Sequence, residues 1–302
     1  MDKNKWAGHL SAAGAYIIFG FNIVLNKDIA NSGTVSPMVM FALRAIGATA
    51  LFWLLSLFLP KEKVSGQDFA LIALASFLGL FVPQMSFLFA IAIATPIDTA
   101  VLGALTPVYT MLFAFLFLRE PISLKKAGGV ALSLGGALLL IFNSTHAAGA
   151  VSRTQPLGIV LLLINGLSFA GYLGAFRPLI SRYSVVTFMK WMFLFSLAYC
   201  LPFSWGGLLH TDYAALTSRL AWEVAYVIFF ATFVAYFLIP VGQKHLRPTL
   251  VSMYSYLQPM IAAALSIAVG MDRFTWQKGL AAVMVFVGVF LVNRSRAAGT
   301  NS

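Results

Sequence analysis

Ten apolar stretches separated by short polar turns run the length of the chain, at about residues 6–30, 37–59, 68–94, 97–118, 124–142, 157–176, 185–205, 220–242, 248–270 and 276–293. Each approaches the roughly 20 residues that a helix needs to cross the hydrocarbon of a bilayer, and no alternating strand pattern suggests a barrel instead. The pattern therefore predicts an all-α polytopic membrane protein with ten transmembrane helices. The third and fourth stretches are parted only by the turn at Ala94 to Pro96, where the proline ring forbids one continuous helix. The eighth and ninth repeat this at Gln243 to Pro248. Lys3 and Lys5 precede the first stretch in the manner of a signal peptide, but its apolar run far exceeds a cleavable core of about 7 to 15 residues, so it reads as a retained span.

The pattern also repeats. Residues 79–140 lie on residues 231–292 without a gap at an offset of 152, which puts Pro96 on Pro248, Pro107 on Pro259, Glu120 on Asp272, Gln84 on Tyr236 and Lys126 on Lys278. The first and sixth stretches match at an offset of 150, Phe19 on Phe169 and Lys27 on Arg177. Each copy holds an odd number of spans, so the second enters the bilayer upside down. The chain thus divides into a first repeat over 1–148 and a second, inverted one over 149–302. Inverted repeats typify secondary transporters, whose substrate site lies near the midplane where the halves meet.

Charge supplies the orientation. Thirteen Lys and Arg residues fall in the loops of one side and five in those of the other, while Arg44 and Lys190 lie within spans and complete the twenty. The positive-inside rule puts both termini in the cytoplasm, with Glu120 inside and Asp272 outside. Hydrophobic residues make up 60% of the chain and charged ones 10%, which excludes a soluble class. The net charge of +11 is scattered rather than striped, so no nucleic-acid partner is expected. Cys200 is the single cysteine, sits in an apolar run and is expected to pack. No Walker sequence, attached soluble domain, metal cluster or cofactor motif is present, and no ATPase subunit is evident. The expected partners are the lipid bilayer and a small-molecule substrate; monomer and homodimer both remain open.

The polar side chains within spans are the candidates for chemistry. Pro107 and Pro259 each remove a backbone donor and can act as hinges that line a pathway, or simply as static kinks. Asn22 and Asn165 occupy the first and sixth spans, where an amide faces the protein interior as glue or as a ligand contact. Arg44 and Lys190 are near enough to span ends to snorkel, although Arg44 begins in a run of small residues and could attract a carboxylate at a cavity mouth. Gln84, Tyr109, Tyr172, Trp191, Tyr236, Tyr254, Tyr256 and Gln258 complete the cavity set, whose aromatic faces suit an amphipathic solute. The walls are expected mainly from spans 1, 3, 4, 6, 8 and 9. Glu120 with Ser123, and Asp272 with Thr275, read as turns with hydroxyl caps for the following helix. All nine carboxylates lie in loops or near span ends, which weighs against a proton-coupled multidrug antiporter.

The segment Ala104-Leu105-Thr106-Pro107 through Phe117-Leu118-Arg119-Glu120-Pro121-Ile122-Ser123, followed by Gly128-Gly129 and Gly135-Gly136, resembles the EamA domain of the drug/metabolite transporter superfamily. Leu257-Gln258-Pro259 through Asp272-Arg273-Phe274-Thr275, then Gly279 and Gly288, resembles the same signature. The likeness covers roughly 8–142 and 157–293. It implies a ten-helix bundle with a central cavity and alternating access, commonly exporting amino acids, other metabolites or drug-like compounds across the bacterial cytoplasmic membrane. Arg273 stands where the first copy has a proline, and Arg44 and the Ser36-Pro37 pair have no evident partner in the second half, so an asymmetric site is expected. A channel, or an intramembrane enzyme acting on lipid, is the reading from another class; the enzyme would need a catalytic cluster, and none is visible.

Overall fold

The computed structural model describes residues 3–106, 108, 109, 113, 124–146, 154–245, 254, 255 and 257–294. Its helices are α1 (Lys3–Ser32), α2 (Pro37–Ser56), α3 (Gly66–Ile93), α4 (Pro96–Gly103), α5 (Leu124–His146), α6 (Pro156–Ala175), the short α7 (Arg177–Arg182), α8 (Val185–His210), α9 (Ser218–Gly242, continuing to His245), α10 (Leu257–Ala268) and α11 (Trp276–Arg294). Five of them, α1, α2, α3, α8 and α9, are long and apolar enough to cross a membrane, and shorter apolar stretches lie within α5, α6, α10 and α11. Large apolar side chains stand on the outer surface, among them Leu10, Phe58, Leu124 and Phe203. In water such a coat would be a liability; against lipid it is the expected face. Trp6, Trp205, Trp222 and Trp276 are exposed near helix ends, where an indole suits the membrane interface.

Local chemistry sets the helix starts. Ser36, Ser65, Thr95, Ser184 and Thr217 each accept a hydrogen bond from a backbone N–H three residues on, which satisfies an otherwise unpaired donor of the first turn. Ser65 and Thr217 are equivalent in the repeat, and Ser184 gives the second half a counterpart to Ser36 that the sequence alone does not reveal. Between α3 and α4, Ala94 is extended and Thr95 caps the new helix, as the proline there requires. At the far end of α3, the exposed Arg182 donates two bonds to Asp68, at 2.6 and 2.8 Å, and this carboxylate raises the guanidinium pKa above its ordinary value.

The packing interleaves the two halves. α5 lies along α11, α2 along α8, α3 against α6, and α1 against α9 and α10. α5 and α11 are repeat mates, and their contacts are reciprocal. A Cβ on Gly136 would stand 2.8 Å from Ala281 O, and one on Gly288 would stand 2.4 Å from Gly129 O, the equivalent pair. Between them Ser133 Oγ donates to Val285 O at 3.4 Å, and these residues are 152 apart. As the residue number rises along α5 its partner's number falls along α11, so the two helices run antiparallel about a local two-fold axis. The same relation holds further off: Gly158 approaches Ala90 O and Gly242 approaches Gly8 O, each with 3.6 Å for an added Cβ. Among the described residues the apolar clusters draw on both halves, as in the group of Phe52, Leu80, Tyr172, Met192 and Phe193.

One feature recurs that no sequence pattern announces. α3 widens to a π-helical turn at Phe77–Phe81, and α9 does so at Val227–Val234, the repeat-equivalent place. In α3 the carbonyls around the turn are taken up from other helices: Ser168 Oγ donates to Leu78 O and Asn165 Nδ2 to Pro83 O, both at 2.7 Å. In α9 Thr232 Oγ1 donates to Val227 O five residues back, also at 2.7 Å. Such turns re-aim the side chains that follow and recur at functional positions.

Candidate functional site

The residues after the two π-turns meet. Gln84 Nε2 donates to the Tyr236 hydroxyl over 3.4 Å, a long hydrogen bond between two repeat-equivalent side chains. Beside this pair lies a cleft of about 20 Å³ walled by Phe19, Gly79, Phe169, Tyr172, Met189, Met192, Tyr236 and Pro240. That volume admits about one water molecule, so the cleft is closed to any organic solute in this conformation. Its walls are aromatic and soft: Tyr236 meets Phe19 and Phe193 edge-on at 5.8 and 5.6 Å, and Tyr172 packs beside Phe169 at 5.9 Å. Gly79 is required here, since a Cβ would fall 2.6 Å from the Tyr172 ring.

The walls of this cleft come from α1, α3, α6, α8 and α9. α8 crosses the π-turn of α3, with Ser76 Oγ donating to Met192 O at 2.6 Å, and this brings Met189 and Met192 to the cleft. α4 and α10 pack instead against one another and against α6 and α1.

The remaining predicted side chains scatter. Asn22 accepts from Asn26 Nδ2 at 2.7 Å, and Asn165 Nδ2 donates to Pro83 O at 2.7 Å, so both amides make helix contacts. Tyr109 is buried against Gly166. Tyr254 bonds His9 Nδ1 at 2.7 Å across α1. Trp191 sits edge-on to Trp53 and Phe69, and Lys190 Nζ lies over the Trp53 ring at 5.0 Å from its centre. Gln258 faces Gly103 between α4 and α10. Pro259 is buried in the first turn of α10, where its missing N–H breaks no helical bond, so it does not kink the described helix. Pro107, Tyr256, Glu120 and Ser123 lie outside the described residues.

Arg44 does not snorkel. It is 3% exposed, and its Nε donates to Thr232 Oγ1 at 2.9 Å, beside the π-turn of α9 and one helical turn before Tyr236. Thr232 spends its proton on Val227 O, which leaves its oxygen as the acceptor for the guanidinium.

A second polar assembly closes one end of the bundle. Lys278 Nζ meets Asp272 Oδ1 at 2.8 Å and Asp98 Oδ1 at 3.7 Å, and donates to Thr95 Oγ1 at 3.2 Å. Thr154 Oγ1 donates to Asp98 and accepts from Thr95 N, and Asp272 Oδ2 accepts from Ile97 N. Asp272 therefore caps α4 rather than its own following helix, which Thr275 caps. Nearby, Lys27 Nζ donates to Ile91 O and Ala92 O at 3.1 Å, neutralising the carbonyl end of α3. Outside this plug lies an open recess of about 510 Å³, with Lys27, Asp28, Gln155, Arg219 and Met271 on its walls. The recess is larger than the cleft but is bounded by loop and helix-end residues. The cleft alone lies where the repeat-equivalent helices converge.

Sequence reasoning missed this plug. Thr95 three residues before Asp98 is a visible cap, but the pairing of Asp98 with Lys278 joins parts of the chain that only the fold brings together. Among the described residues no group of His, Cys, Asp and Glu side chains could hold a metal ion.

Comparison with known proteins agrees with this architecture. The chain is 23% identical over 297 residues to an uncharacterized transporter, YetK, of Bacillus subtilis, covering 96% of this chain and 87% of that one. It is 23% identical over 301 residues to a WAT1-related protein of Arabidopsis thaliana, covering 90% of this chain and 74% of the other. A solved crystal structure superposes with a TM-score of 0.60 at 18% identity, covering 92% of this chain and 95% of that one, a likeness of fold alone. The model of the EamA-like transporter family matches twice, over residues 6–142 and 156–294. With two family matches spanning nearly all its length, this multi-pass membrane protein belongs to the EamA-like transporter family of the drug/metabolite transporter superfamily.

Proposed function

We propose that the chain is a secondary carrier of ten transmembrane helices, arranged as two inverted five-helix repeats, that moves a small organic metabolite by alternating access around the cleft at Gln84 and Tyr236. The distribution of Lys and Arg supports an orientation with both termini in the cytoplasm of a bacterial cell, the chain lying in the cytoplasmic membrane. In that orientation the plug of Asp98, Asp272 and Lys278 faces the outside. The observation that carries the proposal is the contact of Gln84 with its own repeat mate, because a side chain can touch its equivalent only close to a two-fold axis. A site near that axis lies between the two halves, and rocking one half against the other exposes it to either face in turn.

The plug and the cleft fit one half of such a cycle. Ion pairs draw the ends of α4 and α11 together, a hydrogen bond from Thr154 ties in the start of α6, and the cleft is too small for a solute, so opening toward either side must separate helices that belong to different repeats. Rocking needs no covalent chemistry and no nucleotide. Counterflow in proteoliposomes tests the reading: a carrier gives saturable uptake of labelled solute driven by unlabelled solute inside. Flux that rises linearly with concentration and shows no trans-stimulation would identify a channel instead.

A further inference from the structure

We propose, on the basis of that carrier reading, that Arg44 is the recognition site for an anionic group, a carboxylate, on the transported solute. Among the described residues three cations are buried on spans or at their ends, and two have their needs met. Lys278 has Asp272 and Asp98, and Lys27 has two helix-end carbonyls. Arg44 forms no ion pair among the described residues, and its Nη1 is buried without any hydrogen-bond partner. A guanidinium held in that condition is costly, since its charge is desolvated and one of its donors is unmet. Retaining it in the interior makes sense when a counter-charge arrives in another step of the cycle.

The surroundings decide what arrives. Thr232 occupies Nε and fixes the plane of the fork, leaving the end-on pair Nη1 and Nη2, the geometry that a carboxylate meets bidentately. Thr232 is itself fixed by its bond to Val227 O in the π-turn, so the fork is held before any ligand binds. One helical turn along α9, Tyr236 faces the aromatic cleft with Phe19 and Tyr172 on its other walls. An anionic head on Arg44 and an apolar body among these rings make one continuous site once α2 and α9 separate from α8. A cationic solute would meet an unopposed positive charge there. The assigned class is therefore an amphipathic organic acid, or a zwitterion bound through its carboxylate.

The test uses full-length protein and three probes that share one apolar body: 3-phenylpropionate, 3-phenylpropionamide and 3-phenylpropylamine. Affinity is read from ligand-dependent shifts of thermal unfolding in detergent, and transport from counterflow. The wild-type protein is expected to bind the carboxylate about tenfold or more tightly than the amide, as a charge-assisted bond implies, and the amine least. Arg44→Gln is expected to bring the carboxylate-to-amide ratio close to one, and Arg44→Lys to give an intermediate ratio, because an ammonium keeps the charge but loses the fork. The proposal is overturned if the wild type shows no preference for the carboxylate, or if Arg44→Gln preserves the preference. A wild type without the preference overturns the proposal even if Arg44→Gln fails to fold, and Arg44→Lys, which keeps the charge, then supplies the variant that locates the site. Saturable counterflow of the amide or amine that ignores Arg44 would leave the carrier standing and remove the anion site. Carboxylate binding that depends on Arg44 without any counterflow would do the reverse.

Discussion

Gln84 on α3 and Tyr236 on α9 hydrogen-bond at 3.4 Å, and they occupy the same place in the two copies of one repeat. Each follows a π-turn, and each reaches the other only because the copies pack about a two-fold axis. The amide and the phenol differ, so the axis is geometric while its chemistry is asymmetric. On the proposed reading a solute bound there would meet a donor and acceptor from one half and an aromatic face from the other. Removing the phenol oxygen alone, in Tyr236→Phe, should leave the fold nearly intact, with at most about 1 kcal/mol lost from one hydrogen bond. The same change should raise the transport KM severalfold. Equal KM in the variant and the parent, measured by counterflow at matched protein amounts, would remove Tyr236 from the site.

The axis makes a second prediction through glycine. At Gly288 an added methyl group would stand 2.4 Å from Gly129 O and 2.3 Å from Ser133 Oγ, and the first of these is backbone that cannot swing aside. Gly288→Ala should therefore prise α11 from α5 and cost about 1–3 kcal/mol, the range for an overfilled contact. Gly66→Ala is the control, because nothing lies within 4 Å of a Cβ there. Thermal unfolding of the two variants in one detergent checks the difference, and equal midpoints would mean that the close approach of α5 and α11 is wrong.

The extent to which this was legible in the sequence follows from what each signal depends on. The positions of the helices were readable because bilayer thickness and hydropathy act locally, and the stop at Thr95-Pro96 was readable because a proline ring acts on its immediate neighbours. Arg44 was not: the same residue seven positions into a span can reach the interface or turn inward, and Thr232, 188 residues away, determines which. Asn165 shows the same limit from the other side, since the sequence gives no sign that its amide donates to Pro83 O, 82 residues away. Asp98, Asp272 and Lys278 looked like unrelated loop charges until the fold joined them. The paired π-turns share only phenylalanines, Phe77 with Phe229 and Phe81 with Phe233, which are common throughout apolar spans, and proline follows one where alanine stands at the equivalent place in the other, so no distinctive motif marks them.

The plug should depend on charge balance more than on any one bond. Lys278→Met removes the cation from two buried carboxylates, and breaking a buried pair by deleting one partner typically costs about 3–5 kcal/mol. Adding Asp98→Asn and Asp272→Asn should restore much of that loss, because the amides no longer carry charge in a buried place. The comparison is between thermal midpoints of the single and triple variants. A single variant as stable as the parent would mean that the cluster is open to water and does not seal this end.

The topology can be read with the chain's own single cysteine taken away. Cys200 is buried on α8, so Cys200→Ala gives a background without thiols at small cost to packing. Gly66 and Ser218 open α3 and α9 at repeat-equivalent, exposed positions next to the caps Ser65 and Thr217. In an inverted pair these equivalent sites must emerge on opposite faces of the membrane, whereas two copies inserted alike would put both on one face. With both termini inside, a membrane-impermeant maleimide added to intact cells should label Ser218→Cys at once and Gly66→Cys only after permeabilisation. The reverse order would turn the whole molecule over and put the plug in the cytoplasm while sparing the two-fold relation. Labelling of both from outside contradicts inversion itself, and a pocket that opens alternately to the two faces would then have no structural basis.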